Sequence, residues 1–598
     1  MPGKKNTAEF FFLFFSFCAA AQNYPTDFFR LPVDTVVRLA GNFGEIRQDH
    51  FHYGWDIRTG REGVRVLAAG DGYVSRIKTG PYGYGKVLYI THPNGYVSVY
   101  AHLSDFNYII GKYVSDAQYK NESYETELFP AKDELKIKKG EFIALSGNTG
   151  NSSGPHLHFE IRDEKTEEII NPYFFGLHID DTIRPFFRTL AVYPYYDRTS
   201  QGIANGRYGP HYIELQKKNG KWKFKAKDSI IVTGPVGFGI ECYDHENNSS
   251  GNNQVYSLEL QIDGKRIYYY EMTRFAFDQT LYVNAHIDYE MQRKKNKNIQ
   301  KAFLLPGNKF PVYKDVVNSG IMNFEGDSTH SGKFIAKDFY GNSSEFSFLI
   351  IAQKKQKLIP DSTTSEKELA SLGCKDTRLL VAVDPDKEFS RENSYYKISI
   401  PANSFYDKYS YAICMDDKEP DHLKKQKLPH TYSWLYSIYG KYIPLHHAYS
   451  LSMMLDTTSI LDSLKNKLLI VEMEKGKVLK NEGGEYKDDW VITKTRDLGT
   501  FAIWIDSTPP KLKAPKIPKS KSISQLKWIA FHAADNLSGI KNYRVSLDGK
   551  WVLFEYEPKK EIIFCKNDDR LPTGAHTLLL EVSDSKNNRS ALRFDYVK

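Results

Sequence analysis

Along residues 31–177 short apolar and aromatic runs alternate with turns that carry Gly or Asn. The runs are 64–67, 72–77, 86–91, 96–101, 141–146 and 156–162. Such spacing predicts the strands of an antiparallel β unit, bounded here at 22–178. One stretch, 107–135, is polar and tyrosine-rich with weak periodicity, and it predicts a long inserted loop.

Beyond this unit the pattern repeats. Asp181-Thr182-Ile183-Arg184-Pro185 opens one segment and Asp506-Ser507-Thr508-Pro509-Pro510 opens another. The first continues through Cys242-Tyr243-Asp244, Asp263-Gly264 and Asp338-Phe339-Tyr340-Gly341-Asn342. The second continues through Ala533-Ala534-Asp535, Asp548-Gly549 and Asp584-Ser585-Lys586-Asn587-Asn588. Asp-Gly between alternating runs is a hairpin signal, and the order fits two immunoglobulin-like β-sandwiches, 179–352 and 526–598. The repeated Asp and Asn suit turns, where their side chains bond the local backbone, better than calcium ligation. A third β-rich unit, 376–507, lies between them. Polar or Pro/Lys-rich linkers are expected at 353–375 and 508–525. The chain is therefore expected to be all-β.

Composition adjusts this picture little. The 41 Tyr and 36 Phe favour sheet over helical bundles. A net charge of +8 spread over 598 residues, without a clustered basic face, argues against nucleic-acid binding. The N-terminus changes more. Lys4 and Lys5 precede the apolar run 10–17, and Ala19-Ala20-Ala21 follows it, the layout of a signal peptide over 1–21. That run is shorter than the roughly 20 residues a spanning helix needs, so no transmembrane segment is expected after its removal. Phe17 is too bulky for the position before a lipidated Cys18. Export to the periplasm or cell surface follows. It leaves Cys242, Cys374, Cys414 and Cys565, widely spaced and with no C-x-x-C pair, so no thiolate metal site is expected and the pairing stays open.

The candidate chemistry sits in three motifs of the first unit: His52-Tyr53-Gly54-Trp55-Asp56, Tyr100-Ala101-His102-Leu103 and Gly154-Pro155-His156-Leu157-His158. Strand alternation puts His156, His158 and Glu160 on one face. Gly54 permits a tight path that would turn His52 and Asp56 toward one ion. His102 ends an apolar run at a place suited to a cleft rim. Four imidazoles and one carboxylate supply the ligands of a catalytic zinc site with two histidines to spare. His446-His447, adjacent on a strand, would face opposite ways and cannot serve one ion. His50 and His92 are expected to be structural or rim residues.

Residues 52–172 resemble the M23 peptidases, zinc endopeptidases of the lysostaphin/LytM type. The resemblance rests on the three motifs together with Asp71-Gly72-Tyr73-Val74, Gly83-Tyr84-Gly85-Lys86-Val87, His92-Pro93-Asn94-Gly95, Lys139-Gly140-Glu141, Gly147-Asn148-Thr149-Gly150 and Asn171-Pro172. It implies an antiparallel zinc peptidase domain with His52, Asp56 and His158 as ligands of one Zn2+ per chain and His102 and His156 as the catalytic pair. It also implies peptidoglycan peptides as substrate, with the β modules free to meet a cell-envelope partner. The insertion 107–135 lies where the family runs short, placed to wall or cap the groove. Two other readings compete: a non-catalytic regulator of another wall hydrolase, and a zinc protease acting on secreted or surface proteins.

Overall fold

The computed structural model describes residues 23–195, 201–226, 229–247, 249, 251–354, 380–407, 412–415, 432–433, 435–439, 442–455, 460–518 and 520–598. The expected signal peptide, most of the expected linker 353–375 and Cys374 lie outside the described residues, as does the side chain of Cys414. Cys242 and Cys565 are buried free thiols. No helix among the described residues is long and apolar enough to cross a membrane.

The first unit is built on one twisted antiparallel sheet. Its strands in chain order are β1 (Leu39–Gly41), β2 (Trp55–Arg58), β3 (Arg65–Leu67), β4 (Gly72–Thr79), β5 (Lys86–Thr91) and β6 (Tyr96–Leu103). Then come β7 (Asp105–Phe106), α1 (Tyr108–Asn121), β8 (Thr126–Leu128), β9 (Lys136–Ile137), β10 (Phe142–Leu145), β11 (His156–Asp163) and β12 (Ile169–Ile170). The main sheet runs β1-β2-β11-β6-β5-β4-β8, and β3-β10-β7 form a small second sheet. Alternation sorts the faces. Leu157, Phe159 and Ile161 of β11 join Tyr100, Leu88 and Ile90 in the main core. The opposite face carries His156, His158 and Glu160 beside a small apolar cluster of Val87, Tyr89, Val99 and Ala101.

The insertion 107–135 is not a loop. Asn107 caps a 14-residue helix, its side chain accepting from Ile110 N, and Glu122 closes the helix in the left-handed conformation. Only Ile110, Val114 and Gln118 are buried, at i, i+4 and i+8. Gln118 is polar and satisfied by Tyr124 O at 2.7 Å, which is why the apolar stripe is too thin to register as a period. After the helix, β8 extends the sheet edge by pairing with β4.

The next unit shares the first unit's core. Its strand Arg274–Phe275 pairs with β12, and Phe310 stacks on Phe51 at 4.4 Å between ring centroids. The 14-residue strand Ile230–Tyr243 lies at the middle of its twelve-stranded sheet. One half pairs with Phe186–Pro194 and the other runs parallel to the end of Ser343–Ala352. Between 380 and 507 a six-stranded and a five-stranded sheet enclose a separate core. The last unit packs two four-stranded sheets face to face.

The segment 508–525 is not a linker. Lys511–Lys513 pairs with Trp528–Ala534, and Ile523 is fully buried in the last core with Leu512 and Ile517 packed against it. Its Pro and Lys hide an apolar set that sits at irregular intervals.

Candidate active site

Strand pairing assembles the centre. In the β2–β11 register Asp56 lies opposite His158, and β11 in turn pairs His158 with Ala101 of β6. His52 reaches the same point because the chain crosses β11 at Gly54. A Cβ there would lie 2.2 Å from Phe159 O, a backbone atom that cannot yield. Gly54→Ala is therefore expected to lower zinc occupancy and the melting temperature together, with a stability loss of about 1–3 kcal/mol. Metal analysis alongside a thermal melt checks it, and full occupancy at an unchanged melting point would refute it.

His102 arrives by a different device. The β5–β6 register slips between Lys86 and Leu88, and His102 takes a left-handed φ of 58°. This bulge turns its ring out of the strand's alternation and into the cleft. A non-glycine residue in that region stores strain, which commonly marks functional sites.

Three atoms converge. His52 Nε2 lies 3.0 Å from Asp56 Oδ1 and 3.1 Å from His158 Nδ1, and His158 Nδ1 is 2.9 Å from Asp56 Oδ1. Donors of a tetrahedral ion with bonds near 2 Å stand about 3.3 Å apart, so this set can hold zinc with little adjustment. The far side of each ligand is tied down. His52 Nδ1–H donates to Asn42 O at 2.7 Å, and His158 Nε2–H donates to Glu160 Oε1 at 2.8 Å. Asp56 Oδ2 accepts from Arg47 at 2.8 Å, leaving Oδ1 for the centre. Such outer bonds fix the tautomers and orient ligands.

Glu160, fully buried, anchors this arrangement through Arg162 at 2.6 Å and the Tyr84 hydroxyl. Burial raises its pKa, but Arg162 and His158 outweigh that and hold it at about 2. Burial likewise pushes Asp56 up, and the surrounding imidazoles bring it well below the carboxylate range. His158 shows what the field demands. Burial lowers its pKa, yet the bonds to Asp56 and Glu160 raise it to about 9. Two carboxylates flank one ring and stabilise positive charge there, a charge that a divalent cation on Nδ1 supplies as well as a proton does.

His102 and His156 face the same point from the open side. His102 Nδ1–H donates to Thr149 O at 2.8 Å, and His156 Nδ1–H donates to Gly154 O at 2.8 Å. Carbonyls only accept, so each Nδ1 is committed as a donor and Nε2 is the atom each ring has left for the centre. His156 Nε2 is 3.2 Å from Asp56 Oδ1, and the two rings lie 4.8 Å apart. Burial, then the neighbouring His158 and His156, lower the pKa of His102 to about 3. His92 is remote, bonded to Ser98 Oγ and Asp71 O within the sheet, and His50 stacks on Tyr53 outside the centre. His446 stacks on Tyr282 and bonds the Tyr406 hydroxyl.

Sequence reasoning leaves out Asn42, Arg47, Tyr84 and Arg162. Glu160 is within its reach, since alternation already puts it beside His158. It also leaves out a neighbour: the last unit packs against the first. Lys559 Nζ donates to Asn148 O and to Ser152 O at 2.9 Å, and Lys86 pairs with Glu555 at 2.8 Å. Trp551 meets Tyr119 of the inserted helix edge-on. Ser152 Oγ is itself 3.2 Å from His156 Nδ1, so this contact reaches the rim of the cleft.

Comparison with known proteins bears on the same residues. Residues 50–119 and 123–172 match the family model for Peptidase family M23, and 381–506 match that for the Zu5-like domain. An uncharacterized metalloprotease of Haemophilus influenzae is 32% identical over 139 residues, 22% of this chain and 24% of its own. DD-carboxypeptidase/endopeptidase Mpg of Neisseria meningitidis is 32% identical over 130 residues, 21% of this chain and 24% of its own. Peptidoglycan DD-endopeptidase ShyA of Vibrio cholerae is 32% identical over 140 residues, 22% of this chain and 27% of its own. The chain thus spans about a quarter of the length of these relatives. The catalytic domain of lysostaphin from Staphylococcus simulans aligns at 24% identity over 23% of this chain and 88% of its own, with a TM-score of 0.18. The family match covers all three histidine motifs, and with them the converging donor set: this chain carries a peptidase family M23 domain.

Proposed function

We propose that the chain is an exported zinc endopeptidase that hydrolyses the peptide cross-links of bacterial peptidoglycan. The observation that carries this reading is the convergence of His52 Nε2, Asp56 Oδ1 and His158 Nδ1 beneath two further imidazoles whose Nδ1 atoms are tied to carbonyls. Zinc held by three protein ligands polarises a carbonyl and lowers the pKa of a bound water toward neutrality.

The chain's own residues supply the remaining steps. Asp56, His52 and His158 would hold the metal, with Arg47, Asn42 and Glu160 fixing their orientation. One of His102 and His156 accepts the nucleophile's proton at Nε2 and returns it to the leaving amine. The other, protonated at Nε2, donates to the substrate carbonyl oxygen as it gains charge. The name of the Vibrio relative supports peptidoglycan as substrate, and the N-terminal pattern of Lys4, Lys5 and 10–17 supports export. A non-catalytic regulator would have no need of a complete donor set, and completeness favours the enzyme.

Purified protein is expected to carry about one zinc per chain and to release soluble fragments from sacculi, with mass spectrometry of the fragments identifying the cleaved bond. A chelator is expected to stop release and added zinc to restore it. Release that survives complete chelation would refute a zinc mechanism. Cleavage of secreted proteins with none of sacculi would move the substrate to the protease reading.

A further inference from the structure

We propose that a calcium ion binds in the cavity enclosed by Asp181, Asp244, Glu246 and Asp338, where the unit after the peptidase domain packs against it. Carboxylate oxygens of Asp181, Asp244 and Asp338 lie within 4.8 Å of one another although the residues are far apart in sequence. The cavity they share with Glu246 measures about 10 Å3, room for a single water-sized particle.

Two unsatisfied groups point to what fills it. Asp244 and Glu246, 3% and 1% exposed, both line the cavity, and Asp244 Oδ1 and Glu246 Oε1 have no hydrogen-bond partner. A buried acceptor left unpaired is costly, and a buried anion more so. Ionised carboxylates are acceptors only and cannot satisfy one another. Among the described residues, no lysine, arginine or histidine lines the cavity. Burial and mutual repulsion accordingly raise Asp181 to about 6 and Glu246 to about 7, and push Asp244 well above its ordinary range. The ligands on offer are all oxygen, the choice of a hard cation, and a flexible cage of several carboxylates suits calcium.

The last unit provides an internal comparison. Asp506, Asp535 and Asp584 form an equivalent trio. Its frame is the same: Asn588 donates to Asp584 Oδ1 at 2.8 Å, Asp584 Oδ2 at 2.6 Å and Asp506 O at 2.9 Å. Asn342 does likewise to Asp338 Oδ1 at 2.8 Å, Asp338 Oδ2 at 2.6 Å and Asp181 O at 3.2 Å. The two copies differ in charge. Two residues after Asp535 stands Leu537, where the first copy has Glu246 after Asp244. Two after Asp584 stands Lys586, where the first copy has Tyr340 after Asp338. The charges of Asp506 and Asp584 act on Lys586. One copy thus holds three carboxylates with an ammonium nearby, whereas the other holds four and no base. The four-carboxylate copy calls for an external cation; the three-carboxylate copy, in which Asp535 Oδ1 is likewise unpartnered, lies in the field of the Lys586 ammonium, which donates to Gly484 O.

Place gives the ion a consequence. Asn42, one wall of the cavity, also offers the carbonyl that receives His52 Nδ1–H. It is bonded on both sides of its amide to Gln254, at 2.8 and 2.9 Å. An ion here would brace the joint directly behind the peptidase centre.

The test uses the full chain, freed of calcium on a chelating resin and restored with one equivalent of zinc. Calcium chloride is expected to raise the melting temperature by about 3 °C or more, and calorimetry should show the accompanying binding. Asp244→Asn and Glu246→Gln should each lose that response. Without calcium both should melt no lower than the parent, because a neutral amide relieves the repulsion. Asp535→Asn should keep the response. No calcium-dependent shift in the parent would overturn the proposal. So would a shift that persists in Asp244→Asn and Glu246→Gln but vanishes in Asp535→Asn. If Asp244→Asn fails to fold, Glu246→Gln decides the matter alone.

Discussion

Exchange of His158 for alanine is expected to abolish hydrolysis and to release zinc while the fold survives. His158 supplies one of three converging donors, and a site cut to two loses both the ion and the geometry for attack. The ring also sits between Asp56 and Glu160, at 2.9 and 2.8 Å. Glu160 keeps Arg162 and Tyr84 as partners after the exchange, so the buried carboxylate is not orphaned. The loss should therefore fall below the roughly 3–5 kcal/mol typical of breaking a buried ion pair. Glu160→Gln is the graded companion: the ligand remains but its orientation weakens, and zinc affinity or activity should fall about 10- to 100-fold. Metal analysis and circular dichroism on both proteins separate the cases. A folded His158→Ala protein that retains stoichiometric zinc would remove His158 from the ligand set.

The strands around this centre are legible in the sequence because each has one fully buried face. Leu157, Phe159 and Ile161 declare the period of β11, and the histidines then fall on the other face by default. The helix 108–121 is not legible, since only three of its residues are buried and one of them is Gln118. Asn42 and Arg47 are invisible for another reason. Their contacts are made by how the chain leading into β2 folds back on the centre, and no local period encodes that. The aspartates of the repeat are half legible. Asp338 and Asp584 do bond the backbone of Asn342 and Asn588, as turn chemistry predicts. That three such turns would meet at one cavity follows only from the way the sheets close.

The inserted helix and the last unit also change what the cleft is. The expected loop would have been a free wall, but residues 119 and 122 meet Trp551 and Arg544. The insertion is a docking element, and it brings Lys559 to the rim at Ser152. The rim of the cleft therefore includes a surface contributed from more than 400 residues away in the chain, through the Lys559 contact with Ser152.

His102→Ala should lower kcat by about 10²- to 10⁴-fold, the usual contribution of a positioned acid or base, with zinc content unchanged. His102 is not one of the three converging donors, and its Nδ1 is committed to Thr149 O, so its Nε2 is the atom left to act. The same position offers a second readout. Its φ of 58° is left-handed, a conformation that costs a residue with a Cβ roughly 1–2 kcal/mol and glycine almost nothing. His102→Gly and His102→Ala lose the same ring and the same hydrogen bond. They differ only in backbone strain, partly offset by glycine's freer unfolded chain. The glycine variant should be as inactive as the alanine variant and yet more stable, by up to about 1 kcal/mol. Equal activity in His102→Ala and the parent would strip the residue of its chemical role. A glycine variant less stable than the alanine one would show instead that the bulge is unstrained, and that the ring is held in the cleft by its surroundings alone.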